Sequence, residues 1–431
     1  MATDAPRAGS DPVRLVLLGA AVGIPAALVG ALFLALVHVL EGWLWEDLPD
    51  ALGRSSPPWY LVVGLPMAGA LVVAAARRFL PGDGGHDPVE GMNAAPTPPS
   101  HAPGIALAAV GTLAFGLVLG PEAPVIALGS AVGLAITGRA HLDERGAAVL
   151  ATAGSFSAIS ALFGGPLVAG VLLVESGLAM GAALLPLLVP GFVAAAVGYV
   201  VFTGFGDWGG LDSPGLVVPD LPLYDGVELG DLALAVAVGV ATGIALVPIR
   251  SLARRLRGGG TRLGVTGLLV AGGLAVGLLA QVGDWWGIDP RDQLFSGQAS
   301  VPTVVAERSA AMIAVMVAIK AIAYAVSMGC GFRGGAIFPA IFLGIGVASL
   351  AVVWFDASPT WAIAVGAAAG TAAETRLVVA PLLLSALLVG TAGLDAAPAA
   401  VLAAASAWMV TTALDQRLDP GPGTDPGTVA A

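Results

Sequence analysis

Between Glu90 and Arg139 the only charged side chain is Glu122, in the run Gly120-Pro121-Glu122-Ala123-Pro124. Pro121 can open a helix, because its missing N–H is not needed in the first turn. Glu122 therefore stands at a helix N-terminus, where N–H groups and the helix dipole attract negative charge. Two readings follow. The carboxylate either caps the helix and does nothing more, or it competes with an anion for one positive pocket and vacates that pocket when protonated. Glu175 is likewise the only charge between Arg145 and Asp207, followed by Ser176, and Lys320 is alone between Arg308 and Arg333. A buried Glu175 could hydrogen-bond a neighbouring helix end or line an ion path, and Lys320 could be its partner or snorkel to an interface. Gly334-Gly335-Ala336-Ile337-Phe338-Pro339 gives flexible backbone leading into an apolar helix, a second N-terminus, with Arg333 beside it as a cation that draws anions or faces water.

Other chemistry is poorly supplied. His86-Asp87 offers two ligands on one loop, too few for a metal site. There is no G-x-S-x-G elbow, no HExxH and no phosphate loop, so covalent catalysis has no support and an enzyme is not expected. Cys330 is the single cysteine, which excludes an internal disulfide and a cysteine metal site. No basic, aromatic-interleaved patch supports nucleic-acid binding, and no cofactor is implied.

The elements that must position these residues are set by composition. Of 431 residues, 57% are hydrophobic and 11% charged, with 61 Gly, 31 Pro and a net charge of -11; an ordinary soluble domain carries about 25% charged residues. The chain reads as an all-α polytopic membrane protein. Apolar segments run about 15–42, 59–76, 104–119, 123–138, 147–163, 167–202, 231–249, 263–282, 309–328, 336–354, 360–373, 377–394 and 398–414. Several are shorter than the roughly 20 helical residues that cross a hydrocarbon core, which predicts broken or re-entrant helices. Such backbone survives at membrane depth only where protein or a water-filled cavity surrounds it, and paired interruptions in two halves point to a midplane site.

The basic residues Arg250, Arg254, Arg255, Arg257 and Arg262, and the pair Arg77-Arg78, place their loops in the cytoplasm. The acidic segments 41–47 and 207–228 then fall outside. The expected organisation is a cytoplasmic segment 1–13, repeats 14–228 and 229–417, and a disordered tail 418–431 without a soluble regulatory domain.

Three motifs, in order, resemble the CLC chloride channels and transporters. Gly120-Pro121-Glu122-Ala123-Pro124 is similar to that family's G-[KR]-E-G-P, Gly334-Gly335-Ala336-Ile337-Phe338-Pro339 to its G-G-x-F-x-P, and 163–175 to the stretch ending in its internal glutamates. The likeness runs from Val13 to Gln416. It implies a CLC-type fold of two inverted repeats and a homodimer in the plasma membrane, with a pore for chloride or a similar small anion in each subunit. Glu122 then falls on the gating glutamate, and the backbone amides of Ala123, Ala336 and Ile337 on the anion sites.

The departures shape the functional expectation. Gly85, in Gly84-Gly85-His86-Asp87-Pro88, falls on the family's anion-binding serine and removes its hydroxyl. The region of the pore tyrosine is Ala397-Pro398-Ala399. Glu175 matches the first internal acidic residue, but the second, the proton carrier of the exchangers, is Ser176, and Pro121 and Ala123 replace the usual neighbours of the gate. Anion transport without strict proton coupling is expected, along an ion path that includes Gly85, Glu175, Ser176 and Lys320. Gly85→Ser is expected to be tolerated. The alternatives are a fluoride or other anion exporter, a proton-coupled antiporter using Glu175, and, in a different class, a non-transporting membrane scaffold.

Overall fold

The computed structural model describes residues 11–91, 95–140, 142–178, 184–206, 208–211, 216–259 and 263–418. The segment 1–10, most of the tail and Arg262 lie outside the described residues. Helices account for nearly all the regular structure, and no strand occurs among the described residues beyond two isolated bridges.

The first unit comprises residues 1–216, 263–278 and 331–335. Its helices are α1 (Pro12–Gly42), α2 (Trp59–Phe79), α3 (Ala102–Leu113), α4 (Glu122–Ala140), α5 (Glu144–Leu162), α6 (Pro166–Ser176) and α7 (Leu185–Thr203). α1 starts where Asp11 accepts a hydrogen bond from Val13 N–H at 3.0 Å and Pro12 fixes the first turn. α4 and α5 approach closely because Gly129 and Gly154 face each other; a Cβ on either would overlap the other's backbone. Ser155 Oγ donates to Ile126 O at 3.1 Å and Ser157 Oγ to Gly23 O at 2.6 Å, tying α5 to α4 and α1.

The second unit comprises residues 217–262, 279–330 and 336–431. α8 (Leu229–Gly259), α10 (Ala310–Gly329), α11 (Ile337–Phe355), α12 (Pro359–Thr375), α13 (Val379–Val389) and α14 (Ala397–Leu418) belong to it, while α9 (Gly264–Trp285) contributes residues to both units. Here Gly344 of α11 meets Gly366 and Gly370 of α12, and Ser385 Oγ donates to Ala364 O at 2.7 Å.

Among the described residues, eight helical stretches are long and apolar enough to span, from Pro12–Ala51 to Leu394–Arg417. α6 and α13, of 11 residues each, rise only about 16 Å at ~1.5 Å per residue and cannot cross ~30 Å. The apolar run 167–202 contains two helices, α6 and α7, and 104–119 stops being helical at Leu113. Gly116, at φ +87°, turns the chain there. The backbone freed at the break is satisfied within the protein: Trp45, 1% exposed, donates its indole N–H to Ala114 O at 3.0 Å, and Leu117 N–H bonds Thr112 O at 3.1 Å.

Candidate anion site

Glu122 is the first residue of α4 and is 2% exposed. The turn before it is clipped to the segment 331–335 by a reciprocal pair, Gly120 N–H to Gly335 O at 2.8 Å and Gly335 N–H to Gly120 O at 2.6 Å. The Glu122 carboxyl lies directly against both glycines, and a Cβ at either Gly120 or Gly335 would overlap its atoms. Glycine is thus required at both positions by close approach, not by a positive φ. A carboxylate held this way occupies the space in front of a helix start, where the dipole favours negative charge.

The approach to Gly335 carries a charged clamp. Arg333, 4% exposed, donates from Nε to Asp83 O at 3.1 Å and from Nη2 to Asp83 Oδ2 at 2.5 Å; its Nη1 lies 3.5 Å from Asp87 Oδ2. Arg77 bonds the same Asp83 carboxylate through Nε and Nη2, each at 2.9 Å, and reaches Gly331 O at 3.0 Å. Arg333 N–H donates to the buried Thr112 hydroxyl at 3.2 Å. Arg333 is therefore neither a solvent-facing cation nor a loose attractor for anions. It fastens the loop 82–88 to the segment 331–335, a link 250 residues apart in sequence that no local pattern announces.

Gly85 sits in that loop at φ +100°, and its added Cβ would lie 3.1 Å from Ile105 Cγ1. A serine at this position is strained, at about 1–3 kcal/mol for an L residue in such backbone. The expectation of easy tolerance for Gly85→Ser is corrected accordingly. Asp87 caps the turn that follows by accepting from Val89 N–H at 3.1 Å, and His86 Nε2 pairs with Gly91 O, so both have structural employment.

Glu175 and Ser176 end α6. Glu175 is half-buried, and Ser176 donates to Leu173 O at 3.0 Å within its own helix.

In the second unit, Ala336 is the N-cap residue of α11 and Ile337, 2% exposed, its first residue. Tyr324 of α10, fully buried, donates its hydroxyl to Ala336 O at 3.3 Å. Lys320, one turn earlier on α10 and 0% exposed, does not snorkel. Its ammonium donates to Leu294 O at 2.6 Å and Phe295 O at 3.4 Å and lies 4.9 Å from the Phe342 ring centre. Beside it, burial raises the Asp292 carboxyl above the ordinary range, against the Ser300 hydrogen bond and the Lys320 charge. Sequence reasoning passed over Tyr324 and Glu374; a hydroxyl inside one apolar helix and a carboxylate in the last turn of another were the available signals.

Long apolar helices interspersed with others too short to span, two glycine-flanked helix starts and a buried carboxylate at one of them define an integral membrane protein of the CLC class. The chain matches the family described as "Voltage gated chloride channel" over residues 68–412, and it belongs to that family, whose members transport anions. Among curated relatives it is similar to the "Putative ion-transport protein YfeO" of Escherichia coli O1:K1 / APEC and of Shigella boydii serotype 4. Each is 31% identical over 350 residues, covering 77% of this chain and 77% of the relative. Among solved structures, a slow cyanobacterial Cl−/H+ antiporter superposes with a TM-score of 0.74 at 16% identity, over 93% of this chain and 95% of the other. A CLC-type fluoride/proton antiporter gives 0.70 at 18%, over 93% and 96%. The CLC fold anticipated from three motifs is the fold of this chain.

Proposed function

We propose that this chain moves chloride or a similar small anion across the plasma membrane, as a homodimer with a pore in each subunit, built from inverted repeats 14–228 and 229–417. Glu122 is the gate. The backbone amides of Ala123, at the start of α4, and of Ala336 and Ile337, at the start of α11, hold the anion, because helix starts present N–H donors and a positive dipole end. The observation that carries this reading is the Glu122 carboxyl packed on Gly120 and Gly335. An ionised carboxylate there fills an anion's place, and protonation frees it to leave. Transport runs without strict proton coupling, since Ser176 at the family's relay position does not titrate near neutral pH.

The test is flux from proteoliposomes under separate chloride, fluoride and proton gradients. Wild type is expected to release chloride in a pH-dependent manner, and Glu122→Gln to lose the pH response. Flux and pH response unchanged in Glu122→Gln would remove the gate from Glu122. A second reading, coupled antiport through Glu175, draws support from the solved relatives named as proton antiporters; uphill proton movement at fixed stoichiometry, lost in Glu175→Gln, would establish it instead.

A further inference from the structure

Tyr324 stands between two acceptors but owns one proton. Its hydroxyl lies 3.3 Å from Ala336 O and also hydrogen-bonds the side chain of Glu374, the next-to-last residue of α12. Glu374 Oε2 is out of contact with solvent and accepts no hydrogen bond among the described residues. A carboxyl with one oxygen on a tyrosine and the other desolvated is poorly compensated as an anion.

The surrounding charges are few. From α8, Arg250 donates through Nη1 to Ala373 O at 3.2 Å and Glu374 O at 3.4 Å. Arg376 follows α12, and Asp415 comes from α14. Asp415 pairs with Arg376 and, at 3.4 Å, with Arg250. α11, α13 and the short helix Val301–Ala306, which also pack on α12, bring no charged residue. Asp395 is exposed on the turn Leu394–Ala396, which follows Gly393 at the Thr360 end of α12. With Glu374 ionised the group of Arg250, Arg376, Asp415 and Glu374 is neutral, and with Glu374 protonated it carries one positive charge.

We propose that Glu374 and Tyr324 form a proton-binding site that reports its occupancy to the peptide between Ala336 and Ile337. When Glu374 is ionised, Tyr324 donates to the carboxylate and Ala336 O loses its hydroxyl partner. When a proton from solvent binds Glu374, the carboxylic acid donates to Tyr324 Oη, and the hydroxyl proton turns to Ala336 O. Ala336 C=O and Ile337 N–H belong to one peptide group, so a hydrogen bond accepted at the oxygen polarises the N–H and makes it a stronger donor. Proton binding at Glu374 therefore strengthens anion binding at Ile337, and by linkage anion binding draws a proton onto Glu374. The proton here is a modulating ligand and not a transported partner at fixed stoichiometry. The inference rests on the reading that the start of α11 holds the anion.

The experiment is calorimetric titration of the full-length protein in detergent with sodium chloride at several pH values, in a Glu122→Gln background that removes competition from the gate. Chloride affinity is expected to rise about 5-fold or more as pH falls through the Glu374 titration, the low end of ordinary site-to-site coupling, with net proton uptake seen by comparing buffers of different ionisation enthalpy. Glu374→Gln should bind at the tighter level at every pH, and Tyr324→Phe should bind chloride with no pH dependence. A thermal melt on each variant establishes folding. Binding that is independent of pH with Glu374 and Tyr324 intact overturns the inference and leaves the anion site standing. PH dependence that survives Tyr324→Phe overturns the hydroxyl relay. Absence of any halide binding overturns the anion site at α11, and the inference with it.

Discussion

Two polar clusters, one in each unit, are built from the same parts and are held differently. In the first, Arg77 and Arg333 converge on Asp83, with Asp87 nearby; in the second, Arg250 and Arg376 converge on Asp415, with Glu374 nearby. Each stabilises a non-glycine residue in left-handed backbone, Asp83 at φ +48° and Arg376 at φ +63°. The difference lies in the loose ends. Asp83 accepts from both arginines with its carboxylate and from Arg333 with its backbone carbonyl. In the second cluster Asp415 Oδ1 and Glu374 Oε2 are buried without a hydrogen bond. A saturated acceptor fixes geometry, whereas the open Glu374 oxygen can take a proton. The first cluster therefore acts as a clamp on the loops beside Glu122, and the second retains chemistry.

The largest effect that tests this contrast is Arg333→Gln. The Arg333 side chain is 5% exposed while its partner Asp83 is 58% exposed, so the loss is that of two hydrogen bonds made by a charged group, about 3 kcal/mol together. Arg376→Gln leaves Arg250 on Asp415, and with a side chain 27% exposed it should cost about 1 kcal/mol. Denaturant-titrated unfolding in detergent measures both. Equal losses would mean that the clusters do not differ in kind.

The long apolar helices and the carboxylate at the start of α4 were legible in the sequence, because hydropathy runs and a lone acid in an apolar stretch are local signals. The clamp was not, since its Arg333–Asp83 pair joins positions 250 residues apart and Arg77 reads locally as an orientation signal alone. Glu374 was hidden for a different reason. It follows an alanine-rich run and precedes Thr375-Arg376, which reads as the solvated end of a helix; only the neighbours from α8, α10 and α14 take its Oε2 out of solvent contact. The break after Leu113 was also invisible, because 114–119 is as apolar as the helix it ends. There the Gly116 turn and the Trp45 hydrogen bond decide.

Glycine substitution at the two left-handed residues gives a smaller and more diagnostic pair. Both changes relieve about 1 kcal/mol of backbone strain. Asp83→Gly removes the acceptor shared by Arg77 and Arg333 and leaves a buried guanidinium with weaker compensation, so a net loss of about 2 kcal/mol is expected. Arg376→Gly gives up one partly exposed ion pair of about 1 kcal/mol and should be close to neutral. The same unfolding measurement decides. A neutral Asp83→Gly would show that the first cluster is no clamp.

The smallest expected loss within the first cluster asks whether the ion pairs hold the segment 331–335 by themselves. Thr112 accepts from Arg333 N–H at 3.2 Å and donates to Ala108 O at 3.0 Å, entirely inside the protein. Thr112→Val keeps the shape and every charge and deletes the acceptor, along with the hydroxyl's own bond to Ala108 O. A buried N–H then loses its partner, which costs about 1 kcal/mol. The Gly120–Gly335 pair is untouched, so the Glu122 carboxyl keeps its seat and the pH response of chloride flux should match wild type. That outcome assigns the position of the segment to the charges and to the glycine pair, with Thr112 in support. A loss as large as that of Arg333→Gln, or a changed pH response, would move the clamp from the arginines to a neutral hydrogen bond, and the contrast with the second cluster would then rest on Glu374 alone.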